Sequence, residues 1–406
     1  MASLNFTPSY KESETFSLAS KALKLTTRED IQPHLDDLAK LTKITKLDLS
    51  GNTLGTEASL ALSEFISSHD SIKLHIQEIN FADLYTSRLV DEVVASLHHL
   101  LPVLLTCPHL EILNLSDNAF GLRTIESLES YIAQAVHLKH LILSNNGMGP
   151  FAGERIGKAL FKLAELKKTQ KKPMLETFIC GRNRLENGSS LYLALGLKNH
   201  GDGLKVVKLY QNGIRPRGIM NLLHYGLQYN KKLEVLDLQD NTFTETASTL
   251  LTEYLPQWQN SLVELNLNDC LLKGKGADKV FKVFQDYKFE NLQRLKLEYN
   301  EIEQDTIEER LIPALENDHF PKLQILELNG NRLDEDSEAL DVLQARFEEM
   351  ELDDLEELDS DEEEEEEEEE EDDKETFQEI DIEPLEKELA ATKIDDLAEA
   401  LSKTTI

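Results

Sequence analysis

Six residues between positions 83 and 184 carry the groups best suited to holding a polar surface of another molecule: Asp83, Arg88, Asp117, Asn145, Arg182 and Arg184. Carboxylates and guanidinium groups form charge-assisted hydrogen bonds, and a carboxamide donates and accepts at once. None of them sits in a catalytic spacing. The nearest approach to a phosphate loop is Gly153-Glu-Arg-Ile-Gly157-Lys158-Ala159. It is one residue short between the glycines and lacks the Ser/Thr that would hold magnesium, so the glycines read as aids to helix packing. There is no HExxH, no CxxC pair and no GxSxG. His137 and His140 flank a strand rather than share a helix face, and read as strand-edge histidines. No metal site is expected, and any chemistry this chain promotes takes place on another protein.

The elements that must position these residues are written in a repeat. Ten units carry an apolar LxxLxL-type strand followed by a fixed position that is usually asparagine: Asn52, Leu84, Asn118, Asn146, Asn183, Asn212, Asn241, Cys270, Asn300 and Asn331. Alternating leucines put every second side chain on one face of a short strand. The asparagine amide can bridge backbone groups of neighbouring coils. Cys270 can do part of that work with its weak thiol donor, and Leu84 cannot. One unit cannot bury its apolar face alone, so the units stack. This is a leucine-rich-repeat solenoid.

Repeat length selects the kind. Spacings between ladder positions run from 28 to 37 residues, enough for a full helix in each unit. Segments 57–68, 91–105, 152–166 and 276–287 carry apolar residues at helical spacing. Helices are wider than strands, which predicts an α/β horseshoe of the ribonuclease-inhibitor-like kind, with parallel strands on the concave side and helices outside. Residues 16–42 and 335–349 are the expected caps. The two long repeats, ending at Asn118 and Asn183, predict insertions on a functional face. The residues just before each ladder position lie on the rim of the horseshoe, and the six residues above cluster on that rim beside the long repeats. A basic stretch, Lys167-Lys168-Thr-Gln-Lys171-Lys172, reads as a solvated loop or a partner contact.

Charge divides the chain differently. The formal net charge is −35, of which residues 348–383 contribute −24. The unbroken glutamates from Glu362 to Glu371 predict disorder, serving either solubility or attraction of a basic partner. The domains expected are therefore a capped repeat array over 1–350, a disordered acidic tail over 351–383, and a short amphipathic helix over 384–406 built on Leu385, Leu389, Ile394, Leu397 and Leu401. That helix either docks on a partner or stays loose. Cys107, Cys180 and Cys270 show no disulfide spacing, and Cys180 sits in a core strand position as a small buried hydrophobe. No signal core or long apolar run appears, which points to a soluble, reduced, intracellular protein.

Segments FADLYTSRLVDE (81–92), LSDNAFG (115–121), SNNGMGPFAGERIGKAL (144–160), CGRNRLENGS (180–189), YQNGIRP (210–216), LQDNTFT (238–244), LNDCLL (267–272) and NGNRLDEDS (329–337) resemble the Ran GTPase-activating protein family in its fungal form. The resemblance covers residues 20 to 350 and extends to the acidic segment after them. It implies an activator of GTP hydrolysis by the small nuclear-transport GTPase Ran, with no cofactor of its own. GTP and Mg2+ are carried by the partner, and hydrolysis occurs in the partner's active site. The implied partner is the GTP form of Ran, with or without a Ran-binding protein; no nucleic acid or membrane is implied, and a monomer is expected. The family is thought to work without an arginine finger: a rim asparagine contacts the GTPase's own glutamine and restricts it to the water-orienting geometry. By motif position that residue is Asn145, with Asn146 on the ladder. Arg88 is the other family residue important for activity, and its chemistry alone does not separate binding the GTPase from touching phosphate. Asp83, Asp117, Arg182 and Arg184 are expected to bind the partner. Two other classes share parts of the pattern: a non-catalytic repeat scaffold of ribonuclease-inhibitor type, and an acidic nuclear-protein or histone chaperone. Neither accounts for the quoted rim segments.

Overall fold

The computed structural model describes residues 3–347, 350–355 and 377–392. The glutamate run and Ile394, Leu397 and Leu401 lie outside these residues. Eleven parallel strands follow one another in sequence order from Thr15–Ser17 to Ile325–Glu327. Register aligns the middle residues of the strands, so that Leu47, Ile79, Leu113, Leu141, Phe178, Val207, Leu236, Leu265, Leu295 and Leu326 form one buried row. Their neighbours on either side, such as Asn80, Asn114 and Asp237, point to the concave face, as alternation requires.

The helices expected from apolar spacing are present as Thr56–Ser68, Val90–Leu104, Gly149–Thr169 and Lys273–Asp286. They belong to an outer layer whose members pack in sequence order. The extra length in the repeat ending at Asn183 goes into the Gly149–Thr169 helix of 21 residues. The insertion expected on a functional face therefore lies in this repeat in the outer helix layer, away from the rim. A regular helix satisfies every added backbone group, whereas a longer rim loop would leave them to water.

Ladder residues close the stack. Asn146 accepts the Asn118 backbone N–H on Oδ1 at 2.8 Å and donates Nδ2 to Leu115 O at 3.1 Å and Leu143 O at 2.8 Å. The same scheme recurs at Asn118, Asn183, Asn212, Asn241, Asn300 and Asn331. Cys270 supplies part of it, its thiol lying 3.3 Å from Leu238 O. At Leu84 the amide is missing, and its backbone carbonyl takes the Leu54 N–H at 2.9 Å instead.

The N-terminal cap adds strand Thr15–Ser17 beside Lys46–Asp48 and a helix, Arg28–Ala39, with a Thr27/Asp30 capping box. At the other end the Glu338–Arg346 helix covers the core with Leu340 and Leu343. Asp354 then continues the ladder, donating its N–H to Asn329 Oδ1 at 3.0 Å and accepting the Gly330 N–H at 2.7 Å. Residues Glu383–Ala391 form a helix that turns onto the chain itself. Leu389 is buried against Phe161 and Leu195, and Lys198 pairs with Glu386 at 2.8 Å.

Gly153 and Gly157 lie inside the Gly149–Thr169 helix, where no phosphate loop can form. They do ease packing: a Cβ on Gly157 would lie 2.4 Å from the backbone carbon of Tyr192 on the next helix. Gly157→Ala is expected to destabilise the fold by about 1–3 kcal/mol through overpacking. Gly121→Ala, where a Cβ meets nothing within 4 Å, should change stability by less than about 0.5 kcal/mol. Paired urea melts check the difference, and equal losses would remove the helix-contact explanation.

Candidate functional site: the rim and concave groove

Every rim residue before a ladder position has a left-handed backbone: φ is 68° at Gly51, 48° at Asp83, 62° at Asp117, 54° at Asn145, 57° at Arg182 and 52° at Gln211. The cause is local. Each rim N–H donates to a carbonyl of the next repeat, as Asn145 N does to Gly181 O at 2.9 Å, while the following residue turns its side chain into the core. Glycine, asparagine and aspartate tolerate this conformation best. Arg182 and Gln211 adopt it because the ladder leaves no alternative. The result is a row of side chains held outward at fixed spacing.

The adjacent asparagines of one repeat face opposite ways. Asn146 is buried on the ladder, whereas Asn145 is exposed. Asn145 Nδ2 donates to Asp117 Oδ1 of the preceding repeat at 2.7 Å. Among the described residues its side chain makes no further hydrogen bond, so its second N–H and its Oδ1 face solvent.

A groove of about 620 Å³ runs along the concave side below this rim, lined by Asp83, Asp117, Asn145 and Arg182 among others. Four of the six sequence-derived residues thus share one site. Arg184 is exposed two residues further on, with φ of 55°. Arg88 lies elsewhere: its guanidinium turns back toward the N-terminal cap, with Nε 3.0 Å from Thr53 Oγ1, Nη2 2.8 Å from Thr26 Oγ1 and Glu92 at 3.6 Å. Its side chain is only 10% exposed.

Sequence reading missed Tyr210, Asp237 and Gln239, which together with the rim residue Gln211 complete the groove. Gly181 makes room for Tyr210, since a Cβ there would meet the ring at 2.4 Å, and the Tyr210 hydroxyl donates to Ser144 Oγ at 3.2 Å. The available signal was the residue before each rim position, which is small from Ser50 through Gly181 and then becomes Tyr210 and Gln239. Burial pushes the Asp237 carboxyl up to about 6, against the pull of Lys208. Below the groove, the N-terminal arm crosses the concave face. Phe6 packs edge-on against His140 at 5.0 Å, and Lys208 Nζ lies 3.4 Å from Ser3 O. His140 is a strand-edge residue, with Nδ1 2.9 Å from Thr177 Oγ1.

The basic stretch from Lys167 is neither a solvated loop nor a partner contact at its first residue. Lys167 is fully buried at the end of its helix, donating to Val136 O at 3.0 Å, Leu138 O at 2.6 Å and Pro173 O at 2.9 Å. Three carbonyls replace its hydration shell. No group of three or more His, Cys, Asp or Glu among the described residues could hold a metal ion, and no described helix is long and apolar enough to cross a membrane.

Fold and groove define a leucine-rich-repeat protein with a polar rim above a concave groove, and the Leucine Rich repeat family profile matches residues 40–63 and 106–127. The chain is 67% identical over 352 residues to Ran GTPase-activating protein 1 of Saccharomyces cerevisiae, spanning 87% of this chain and 86% of that one. It thus belongs to the Ran GTPase-activating protein family. Ran GTPase-activating protein 2 of Caenorhabditis elegans is 38% identical over 208 residues, covering 50% of this chain and 21% of that one. The Drosophila melanogaster Ran GTPase-activating protein is 32% identical over 228 residues, covering 55% and 37%.

Two outcomes follow from this geometry. Asn146→Ala should destabilise the fold by about 1–3 kcal/mol, because buried backbone groups lose their partners, while Asn145→Ala should leave the melting temperature nearly unchanged. Thermal melts of both variants decide this, and the reverse order would overturn the division of roles. Asp237 has its folded-state pKa raised, so its contribution to stability is complete below about pH 4 and is lost as pH rises through about 6. Asp237→Asn should accordingly stabilise more at pH 8 than at pH 4, by up to about 3 kcal/mol. A pH-independent effect in urea titrations would contradict the burial argument.

Proposed function

We propose that this chain accelerates GTP hydrolysis by Ran, acting in the cytoplasm on the GTP form of the GTPase, and that its own contribution is a positioned carboxamide. Family membership supports the activity, and the Asn145–Asn146 pair carries the mechanism. In hydrolysis of this kind a glutamine of the GTPase orients the attacking water against the γ-phosphate. A free glutamine samples many conformers, and only some of them hold the water in line. Asn145 offers one donor and one acceptor, which is what a primary amide needs to be held in a single orientation. Asp117 fixes the Asn145 side chain before the partner arrives, so little order is lost on contact. Nucleotide and Mg2+ come with the GTPase, and no cofactor is required from this chain.

Arg88 and Arg182 are assigned to holding the partner. The Arg88 guanidinium would have to leave Thr53, Thr26 and Glu92 to reach a phosphate. Arg182 lines the groove beside Asn145 and meets the acidic or carbonyl surface around the switch segments. The test is direct: catalytic amounts of the chain are mixed with GTP-loaded Ran and phosphate release is followed. Asn145→Ala should slow the step roughly 100- to 1000-fold, as expected for one lost preorganised contact. Absence of any stimulation by the unaltered chain would remove the reading.

The two arginines supply the sharper prediction. For a residue that binds, Arg88→Ala or Arg182→Ala should raise KM while saturating chain restores most of the single-turnover rate. For a finger, the saturated rate would stay down by about 1000-fold or more. Such a deficit with intact affinity would move the catalytic role from Asn145 to that arginine.

A further inference from the structure

In most repeats the two positions four and five residues after the ladder position are polar, small or proline: Thr56/Glu57, Asn187/Gly188, Pro216/Arg217, Glu245/Thr246, Gly274/Lys275, Gln304/Asp305 and Glu335/Asp336. Three consecutive repeats depart from this. There the same place holds Leu89, Leu122 and Phe151, which are 73%, 61% and 46% exposed. All three stand at the N-terminal ends of neighbouring outer helices, Val90–Leu104, Ile125–Gln134 and Gly149–Thr169. An ion pair between Arg123 and Asp91 ties the loop before the second of these helices to the first turn of the first.

These are the repeats whose rim residues are Asp83, Asp117 and Asn145. Scattered exposed leucines need no explanation, but an apolar row confined to three consecutive repeats among those that line the polar groove does. A buried apolar centre beside polar contacts is the usual anatomy of a protein interface.

We propose that Leu89, Leu122 and Phe151 form an apolar strip that receives a hydrophobic patch of the partner GTPase next to the groove. The strip sets the affinity of the complex and takes no part in its chemistry. It rests on the reading of the partner as GTP-loaded Ran. Leu89, Leu122 and Phe151 each follow a groove-lining rim residue of the same repeat, Asp83, Asp117 or Asn145, by five or six positions, which selects the GTPase that engages Asn145 as the occupant.

The triple variant Leu89→Ser/Leu122→Ser/Phe151→Ser tests the proposal. The measurements are its thermal melt, KM and kcat for GTP-loaded Ran, and its binding to Ran carrying a non-hydrolysable GTP analogue. KM and the dissociation constant should both rise at least tenfold, with kcat within twofold and the melt unchanged. Val342→Ser, an equally exposed apolar site on the C-terminal cap, should alter neither. Unchanged affinity would overturn the strip, and so would a fall in kcat at constant KM. If the triple variant melts lower, the single Leu89→Ser variant decides, since that side chain is mostly in solvent: a rise in KM of threefold or more supports the strip, and none overturns it. If the unaltered chain binds Ran without stimulating hydrolysis, the activator reading fails while the strip still stands or falls on the binding data. If it neither binds nor stimulates, both fall.

Discussion

The buried amide at the end of each strand is the interaction on which the rest of this molecule depends. Its Oδ1 takes the backbone N–H of the preceding repeat, and its NH2 group holds carbonyls of the preceding repeat and its own, as Asn146 does with Asn118, Leu115 and Leu143. In a low-dielectric interior each such bond is strong and each missing one is expensive. The ladder therefore does more than glue coils together. It forces the residue just before it into the left-handed region and points that side chain out. Rim geometry is a by-product of core satisfaction.

That link explains what could be read from residue order alone. Repeats, concave strands, outer helices and the opposite fates of Asn145 and Asn146 all follow from one period and one amide. The groove was only half legible, because its depth depends on a missing side chain at Gly181 and a ring from the following repeat at Tyr210. Such cross-repeat complementarity leaves no periodic trace. Arg88 shows the same limit: its type and place on the rim suggest a reaching side chain, yet Thr26, Thr53 and Glu92 draw it back. Lys167 defeated charge reasoning because three carbonyls, invisible in composition, surround its ammonium.

The apolar seam at Leu385 and Leu389 is a further case. Helical spacing identified an amphipathic face but not its occupant. The occupant is the chain's own outer layer, where Phe161 and Leu195 bury Leu389, and Lys198 meets Glu386. An amphipathic segment joined to a solenoid has a high effective concentration for any complementary patch nearby, so self-docking competes well with external partners.

A solenoid is a suitable frame for the proposed role of a positioned carboxamide. Each repeat contacts only its neighbours, so curvature accumulates while local geometry stays stiff. A carboxamide promotes another protein's reaction only if its position is set in advance, because any reorganisation during the reaction would subtract from the gain. Here the backbone of Asn145 is held to Gly181 and its side chain to Asp117, which sit on the repeats to either side. The break at Leu84 falls two repeats before Asn145, where the Leu84 carbonyl takes the Leu54 N–H in place of a side-chain amide. The fixed position of Asn145 thus comes from the buried amide of Asn146 beside it and from its own partners on the repeats to either side.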